Sequence, residues 1–155
     1  TRKPERRDAR YVRGKAEGYR RKGGIADTAY VGTEAEFYIF NSLRFDQDVF
    51  SGYYDIDSEE GIWNSGSNGT ANLANRPRAK EGYFPVPPTD RLQDLRSEMM
   101  LRLNEAGCRV EVQHHEVGTA GQAEIDIRYA TLTSIADKVM KYKYSIQKRA
   151  APNRE

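Results

Sequence analysis

Four glutamates and two adjacent histidines are the residues whose types and spacing could do chemistry in this sequence. Glu116 and Glu124 flank a Gly-Thr-Ala-Gly turn in Gln113–Tyr129, which reads QHHEVGTAGQAEIDIRY. Glu34 and Glu36 alternate within a second run, AYVGTEAEFYIF, that reads as a strand. Two carboxylates on one strand face stand only ~7 Å apart and repel unless they are solvated, protonated or bridged by a cation. An all-carboxylate set suits a hard divalent ion such as Mg²⁺ or Mn²⁺, whereas zinc would ask for more histidine or cysteine. His114 and His115 lack the i, i+4 helical spacing of a zinc protease, so a supporting or structural role is favoured for each. Taken by themselves, Glu34 and Glu36 read as ordinary acids on a solvent-facing strand. Only the four together point to a cation.

The elements that must position these acids follow from periodicity. Residues 5–22 read as a helix, with Ala9, Val12, Ala16 and Tyr19 at spacings of three and four and Gly23-Gly24 ending it. Ala29–Phe40 reads as one strand, with Glu34, Glu36 and Tyr38 on one face and Thr33, Ala35, Phe37 and Ile39 on the other. The stretch 41–80 is the least regular, with aromatic islands at Phe45, Phe50, Tyr53-Tyr54 and Trp63; short strands near 49–56 fit it. A loop of that length is functional or mobile, and composition does not choose between the two. Gly82–Pro88 reads as extended, because the residues before Pro85 and Pro87 are pushed out of the helical region. Thr89 reads as the N-cap of a helix whose stripe is Leu92, Leu95, Met99 and Leu103, with Asp90 favouring the dipole and Gly107 as the stop. Arg109–Val117 is a second strand with Val110, Val112, His114 and Glu116 on one face, and Gln122–Tyr129 a third with Glu124, Asp126 and Arg128 on its polar face. A hairpin here brings Glu116 close to Glu124. The final helix, roughly 132–150, should bury Leu132, Ile135, Val139 and Tyr142 or Ile146, with Pro152 closing it. The expected fold class is α+β: antiparallel strands carry the acids and helices cover one side.

Composition bounds the rest. A chain of 155 residues suffices for one domain with a core. Its mean hydropathy of −0.85 is thin for a self-sufficient globule, so either a large loop is exposed or surfaces are completed by other chain. A net charge of +2 gives no general pull toward nucleic acid or membrane, and the basic clusters in Arg2–Arg21 and Lys138–Arg149 read as solvated helix faces. The single cysteine, Cys108, excludes an internal disulfide and fits a reducing compartment. It has no evident base beside it and reads as a small buried thiol. No run approaches the ~18 apolar residues of a membrane span and no signal-peptide core is present, so a cytoplasmic protein is expected. Phosphate-binding glycine loops, a dinucleotide fingerprint and a nucleophile elbow are all missing from the sequence. Paired glutamates could hydrolyse glycosides, but nothing suggests an aromatic-lined sugar pocket.

Five segments, at 32–40 (GTEAEFYIF), 53–57 (YYDID), 81–99 (EGYFPVPPTDRLQDLRSEM), 114–125 (HHEVGTAGQAEI) and 136–144 (ADKVMKYKY), resemble type I glutamine synthetase of bacteria, and the actinobacterial branch in particular. The resemblance covers nearly the whole chain. It implies ATP-dependent ligation of ammonia to L-glutamate through γ-glutamyl phosphate, in glutamine biosynthesis and nitrogen metabolism, with two or three Mg²⁺ or Mn²⁺ ions per site. By motif position, Glu36, Glu116 and Glu124 would hold the cation nearer glutamate, and Glu34 the cation that bridges the ATP phosphates. Glu111 would contact ATP, Tyr129 would lie beside the adenine, and Tyr83 would line the ammonium pocket together with Glu116. Implied partners are L-glutamate, ammonium and ATP, in a homo-oligomer of two stacked hexameric rings (a dodecamer) with active sites between subunits, and neither nucleic acid nor membrane. Thr33 stands where the family usually has proline, Gln113 where it has a third histidine and Gly118 where alanine is common; none is a matched ligand. Strict alternation puts Glu111 and Glu116 on opposite strand faces, which requires a bulge or different sides of one site. Against a family of several hundred residues, 1–155 is expected to be an internal portion of the catalytic domain, without the small N-terminal domain or the C-terminal part, and inactive alone. A γ-glutamyl-polyamine or other amine ligase of the same family, and a non-catalytic fragment or homologue, are the competing readings.

Overall fold

Asp8 starts the first element. Its extended backbone and its carboxylate, which accepts the Tyr11 N–H at 2.8 Å, cap helix α1 (Ala9–Lys22), an interaction worth about 1 kcal/mol. Arg20, Arg21 and Lys22 complement the dipole at the other end, where the Gly23 N–H closes onto the Tyr19 carbonyl at 2.8 Å. The computed structural model describes residues 5–64, 75–119 and 121–150. After α1 come β1 (Tyr30–Thr33), β2 (Glu36–Tyr38), β3 (Ser42–Gln47), β4 (Gly52–Asp57), α2 (Gln93–Glu105), β5 (Val110–His115), β6 (Gln122–Thr131) and α3 (Leu132–Ala150). Helices thus mix with antiparallel strands, as the α+β expectation has it.

The chain divides into two compact units. The first takes the described parts of 1–33, 103–110 and 127–155. Here β1 pairs antiparallel with the second half of β6, Tyr30 opposite Thr131, and the register slips between Val31 and Thr33. Leu103, Cys108, Ile127, Ile135, Tyr142 and Ile146 are its buried apolar side chains. Burial pushes the Cys108 thiol pKa upward, and its Sγ lies 3.7 Å from the Lys138 carbonyl, as befits an inert packed thiol. Leu132 and Val139 are half-buried rather than core. The expected stripe of α1 is not buried: Val12 and Tyr19 are exposed and no residue of α1 is buried. Instead Arg13 donates to the Thr133 carbonyl and to Asp137, and the Thr133 hydroxyl donates to Glu17. A polar face, one turn of Arg13 and Glu17, therefore meets α3.

The second unit takes the described parts of 34–102 and 111–126. Exposure alternates from Tyr30 to Tyr38 as a period of two requires, but the strand expected over 29–40 breaks at Glu34-Ala35 into β1 and β2. β2 pairs with the first half of β6, placing Glu36 opposite Glu124, and β5 pairs with β6 too. The irregular stretch 41–80 opens with a regular hairpin in which β3 and β4 pair from Ser42–Asp57 to Gln47–Gly52; β4 lies where a short strand near 49–56 is expected, and β3 precedes it. Both faces of that hairpin are largely exposed, so no alternation marks it; positions 65–74 of the stretch lie outside the described residues.

Thr89 does not cap α2, which starts at Gln93. A turn in which Thr89 and Asp90 both donate to the Val86 carbonyl holds the chain out of the helix, and Asp90 then accepts the Leu92 N–H at 3.2 Å. Leu92, Met99 and Leu103 are buried as expected and Leu95 is half-buried, but Arg96 is 1% exposed on the same helix. All three nitrogens of its guanidinium donate: two bonds to the Asp90 carboxylate, and Nε to the Gln113 side chain at 2.6 Å. α3 has its expected bounds, while Pro152, expected to close it, lies outside the described residues. No helix among the described residues is long and apolar enough to cross a membrane.

Candidate functional site

The turn between β5 and β6 works through its glycines and Gln122. Gly121 has φ +82°, and a Cβ there would meet the Ile39 carbonyl oxygen at 2.7 Å, so only glycine fits. The Gln122 side chain accepts the Gly118 N–H at 2.6 Å and donates to the Glu36 carboxylate. The Glu116 N–H donates to the Gln122 carbonyl at 2.9 Å, which sets the hairpin register beside the acids.

His114, Glu116 and Glu124 meet on this hairpin. One ligand atom from each lies within 4.8 Å of the others, and all three residues are buried. The His114 ring lies between the two acids, Nδ1 3.4 Å from Glu116 Oε1 and Nε2 3.4 Å from Glu124 Oε2. Phe84 stacks on that ring at 4.3 Å and Tyr83 meets it edge-on at 5.5 Å. The other Glu116 oxygen accepts the Val117 N–H at 2.9 Å. Burial first, then the charges and hydrogen bonds of Asp126 and Glu116, push the Glu124 carboxyl up to about 7. Asp126 adds a buried carboxylate oxygen with no hydrogen-bond partner among the described residues. Such crowding of buried acids asks for positive charge, and an imidazole nitrogen with two carboxylate oxygens fits a divalent cation.

The adjacent histidine serves a different end. The His115 and Glu60 side chains are 0% exposed and paired, Nε2 to Oε2, at 2.9 Å. His115 Nδ1 faces the Gly82 carbonyl at 2.8 Å and the Glu116 carbonyl at 2.7 Å. Burial opposes charge on this ring, but the Glu60 hydrogen bond and charge outweigh it and the pKa is raised. Gly82 and Phe84 donate to the Val117 and His115 carbonyls, laying 82–84 along the end of β5. Phe84 is therefore not extended: its φ of +58° is left-handed, a strain of about 1 kcal/mol or more that the stacking on His114 and these bonds hold in place.

Of the acids singled out in the sequence, Glu116 and Glu124 are brought together. Glu36 lies opposite Glu124 in register, exposed, with its carboxylate on Gln122; Glu34 is exposed between β1 and β2; neither belongs to the buried cluster. Tyr83 is beside His114 with its ring 5.5 Å away. Glu111 is exposed on β5, and Tyr129 is exposed on β6, edge-on to Tyr30 and under the Arg128 guanidinium. His114, expected in a supporting or structural role, lies in the same buried cluster as Glu116 and Glu124. The signal was available, because alternation along β5 puts it on the face of Glu116. Glu60 and Gln122 carried no such signal.

Three comparisons bear on these residues. The model of the family "Glutamine synthetase, catalytic domain" matches residues 6–154. The glutamine synthetase of Frankia alni is 57% identical over 142 residues, 91% of this chain and 30% of that protein. That of Mycolicibacterium smegmatis is 50% identical over 154 residues, 97% of this chain and 32% of that protein. A cryo-EM structure of the Plasmodium falciparum glutamine synthetase superposes with a TM-score of 0.78 at 26% identity, covering 91% of this chain and 28% of that one. The chain spans about 30% of the length of the curated relatives it matches.

Proposed function

The chain belongs to the glutamine synthetase catalytic-domain family, and on that premise we propose that it supplies part of the active site of a glutamate–ammonia ligase. In this reading the γ-carboxylate of L-glutamate attacks the terminal phosphorus of ATP and releases ADP. Ammonia then displaces phosphate from the γ-glutamyl phosphate to give glutamine. Phosphoryl transfer asks a protein for positioning and charge neutralisation more than for covalent work. His114, Glu116 and Glu124 would hold Mg²⁺ or Mn²⁺, with Glu36 and Glu34 completing the acidic surroundings of the cations. A bound divalent cation supplies charge neutralisation to the phosphoryl and carboxylate oxygens. The burial of Glu116 and Glu124 keeps water from competing for them. Tyr83, with an aromatic face, and Glu116, with a negative charge, would attract ammonium. Glu111 and Tyr129 would serve ATP, through a polar contact and an aromatic surface. The parent would be a homo-oligomer with sites between subunits, in two hexameric rings, and cytoplasmic.

What carries this reading is the buried His114–Glu116–Glu124 cluster, set on a strand hairpin against Tyr83. In the complete protein, Glu124→Gln should lower ATP- and glutamate-dependent glutamine formation roughly 100-fold or more, as loss of a metal ligand does. Activity within about twofold of the parent would count against the reading. So would preferential formation of a γ-glutamyl amide from an added polyamine rather than from ammonia.

A further inference from the structure

Charge buried around His115 is hard to explain by stability. Replacing a buried ion pair with apolar groups of similar volume is often neutral or stabilising, yet His115 and Glu60 are fully buried at the junction of three segments. Their bonds show what they join. Carbonyl oxygens only accept, so Nδ1 must carry a proton and donate it to Gly82 and Glu116 together. Nε2 then meets Glu60, whose other oxygen accepts the Arg91 N–H at 3.0 Å. One ring thus ties the Gly82–Tyr83 segment to the backbone of Glu116, and Glu60 keeps that ring oriented. Gly82 is fitted to the same contact: a Cβ there would run into the Glu116 carbonyl and come within 2.9 Å of the His115 ring.

We propose that His115, oriented by Glu60, is a positioning residue that fixes Tyr83 and the cation ligand Glu116 relative to one another. It touches neither cation nor substrate; it acts through the two carbonyls it bridges. The proposal rests on the glutamine synthetase reading of Tyr83 and Glu116, and the test separates the two. His115→Asn keeps a donor near the Nδ1 position and loses the Glu60 bond, whereas His115→Leu loses both. In the complete protein, His115→Leu should weaken Mn²⁺ binding by about tenfold or more, the usual effect of removing a group that orients a ligand. The ammonium KM should rise by a similar factor while the ATP KM stays within about twofold. His115→Asn should recover most of both losses, which a merely space-filling role would not allow. Should His115→Leu fail to fold, Gly82→Ala tests the same bridge from its other end and should raise the ammonium KM alike. If the parent enzyme is active and neither substitution changes the ammonium KM or Mn²⁺ affinity, the positioning role is wrong. If the parent makes no glutamine, the functional reading falls, and Mn²⁺ affinity alone decides: loss in His115→Leu with recovery in His115→Asn supports positioning, and unchanged affinity overturns it.

Discussion

The two compact units bury opposite kinds of side chain. In the first the interior is apolar, from Leu103 and Ile127 to Ile135 and Ile146. In the second, Met99, Ala123 and Ile125 share the interior with Glu60, Asp90, Arg96, His115, Glu116 and Glu124. Apolar burial needs no partner and gains about 25 cal/mol per Å² removed from water. Buried charge gains stability only where each group is matched. The second unit matches Arg96 with Asp90 and His115 with Glu60, and leaves Glu116, Glu124 and Asp126 crowded together. One unit buries apolar side chains, and the other buries a set of acids that, in the proposed reading, a cation would neutralise.

The sharpest way to break this comparison is to unmatch a buried charge. Glu60→Ala leaves His115 without its counter-charge, and denaturant unfolding of the complete protein should show a loss of about 4 kcal/mol. In the apolar unit, Leu103→Ala should cost about 3 kcal/mol through the cavity it leaves, with no change in Mn²⁺ affinity. A coupled loss of stability and Mn²⁺ affinity from Leu103→Ala would dissolve the distinction between the units. The smallest effect concerns pH. Glu124 is raised from 4.5 to about 7, so between those values the folded, cation-free protein holds a proton that the unfolded chain has released. Stability should therefore fall as pH rises through that window. His115, with a raised pKa, contributes stability that is full below 6.5 and is lost only above it. Thermal unfolding against pH should show both losses, with Glu124→Gln removing the lower one and added Mn²⁺ restoring stability above it.

What could be read in the sequence tracks what the physics makes local. The Glu116–Glu124 approach was legible because a glycine turn between two alternating strands fixes their spacing. The bounds of α3 and the buried thiol of Cys108 followed from periodicity and from a helix-to-strand junction. Of the β3–β4 hairpin only a strand near 49–56 was legible; β3 was not, since with both faces largely exposed its sequence has no reason to alternate. Thr89 read as a cap because it precedes an apolar stripe, but the Val86 turn delays the helix, and Asp90 accepts the Leu92 N–H just ahead of it. Glu60 was invisible for a different reason. Its partner is 55 positions away, and nothing in the stretch around it shows a period.

The central claim, that the crowded acids of the second unit form a cation site, is tested most directly by calorimetric titration of the complete protein with Mn²⁺. The titration should be run at about pH 6 in buffers of different ionisation heat, where a carboxyl that titrates near 7 is mostly protonated. Saturable binding with release of close to one proton, lost in the Glu116→Gln, Glu124→Gln double variant, is the predicted result. Equal Mn²⁺ affinity in the parent and the double variant would contradict the account.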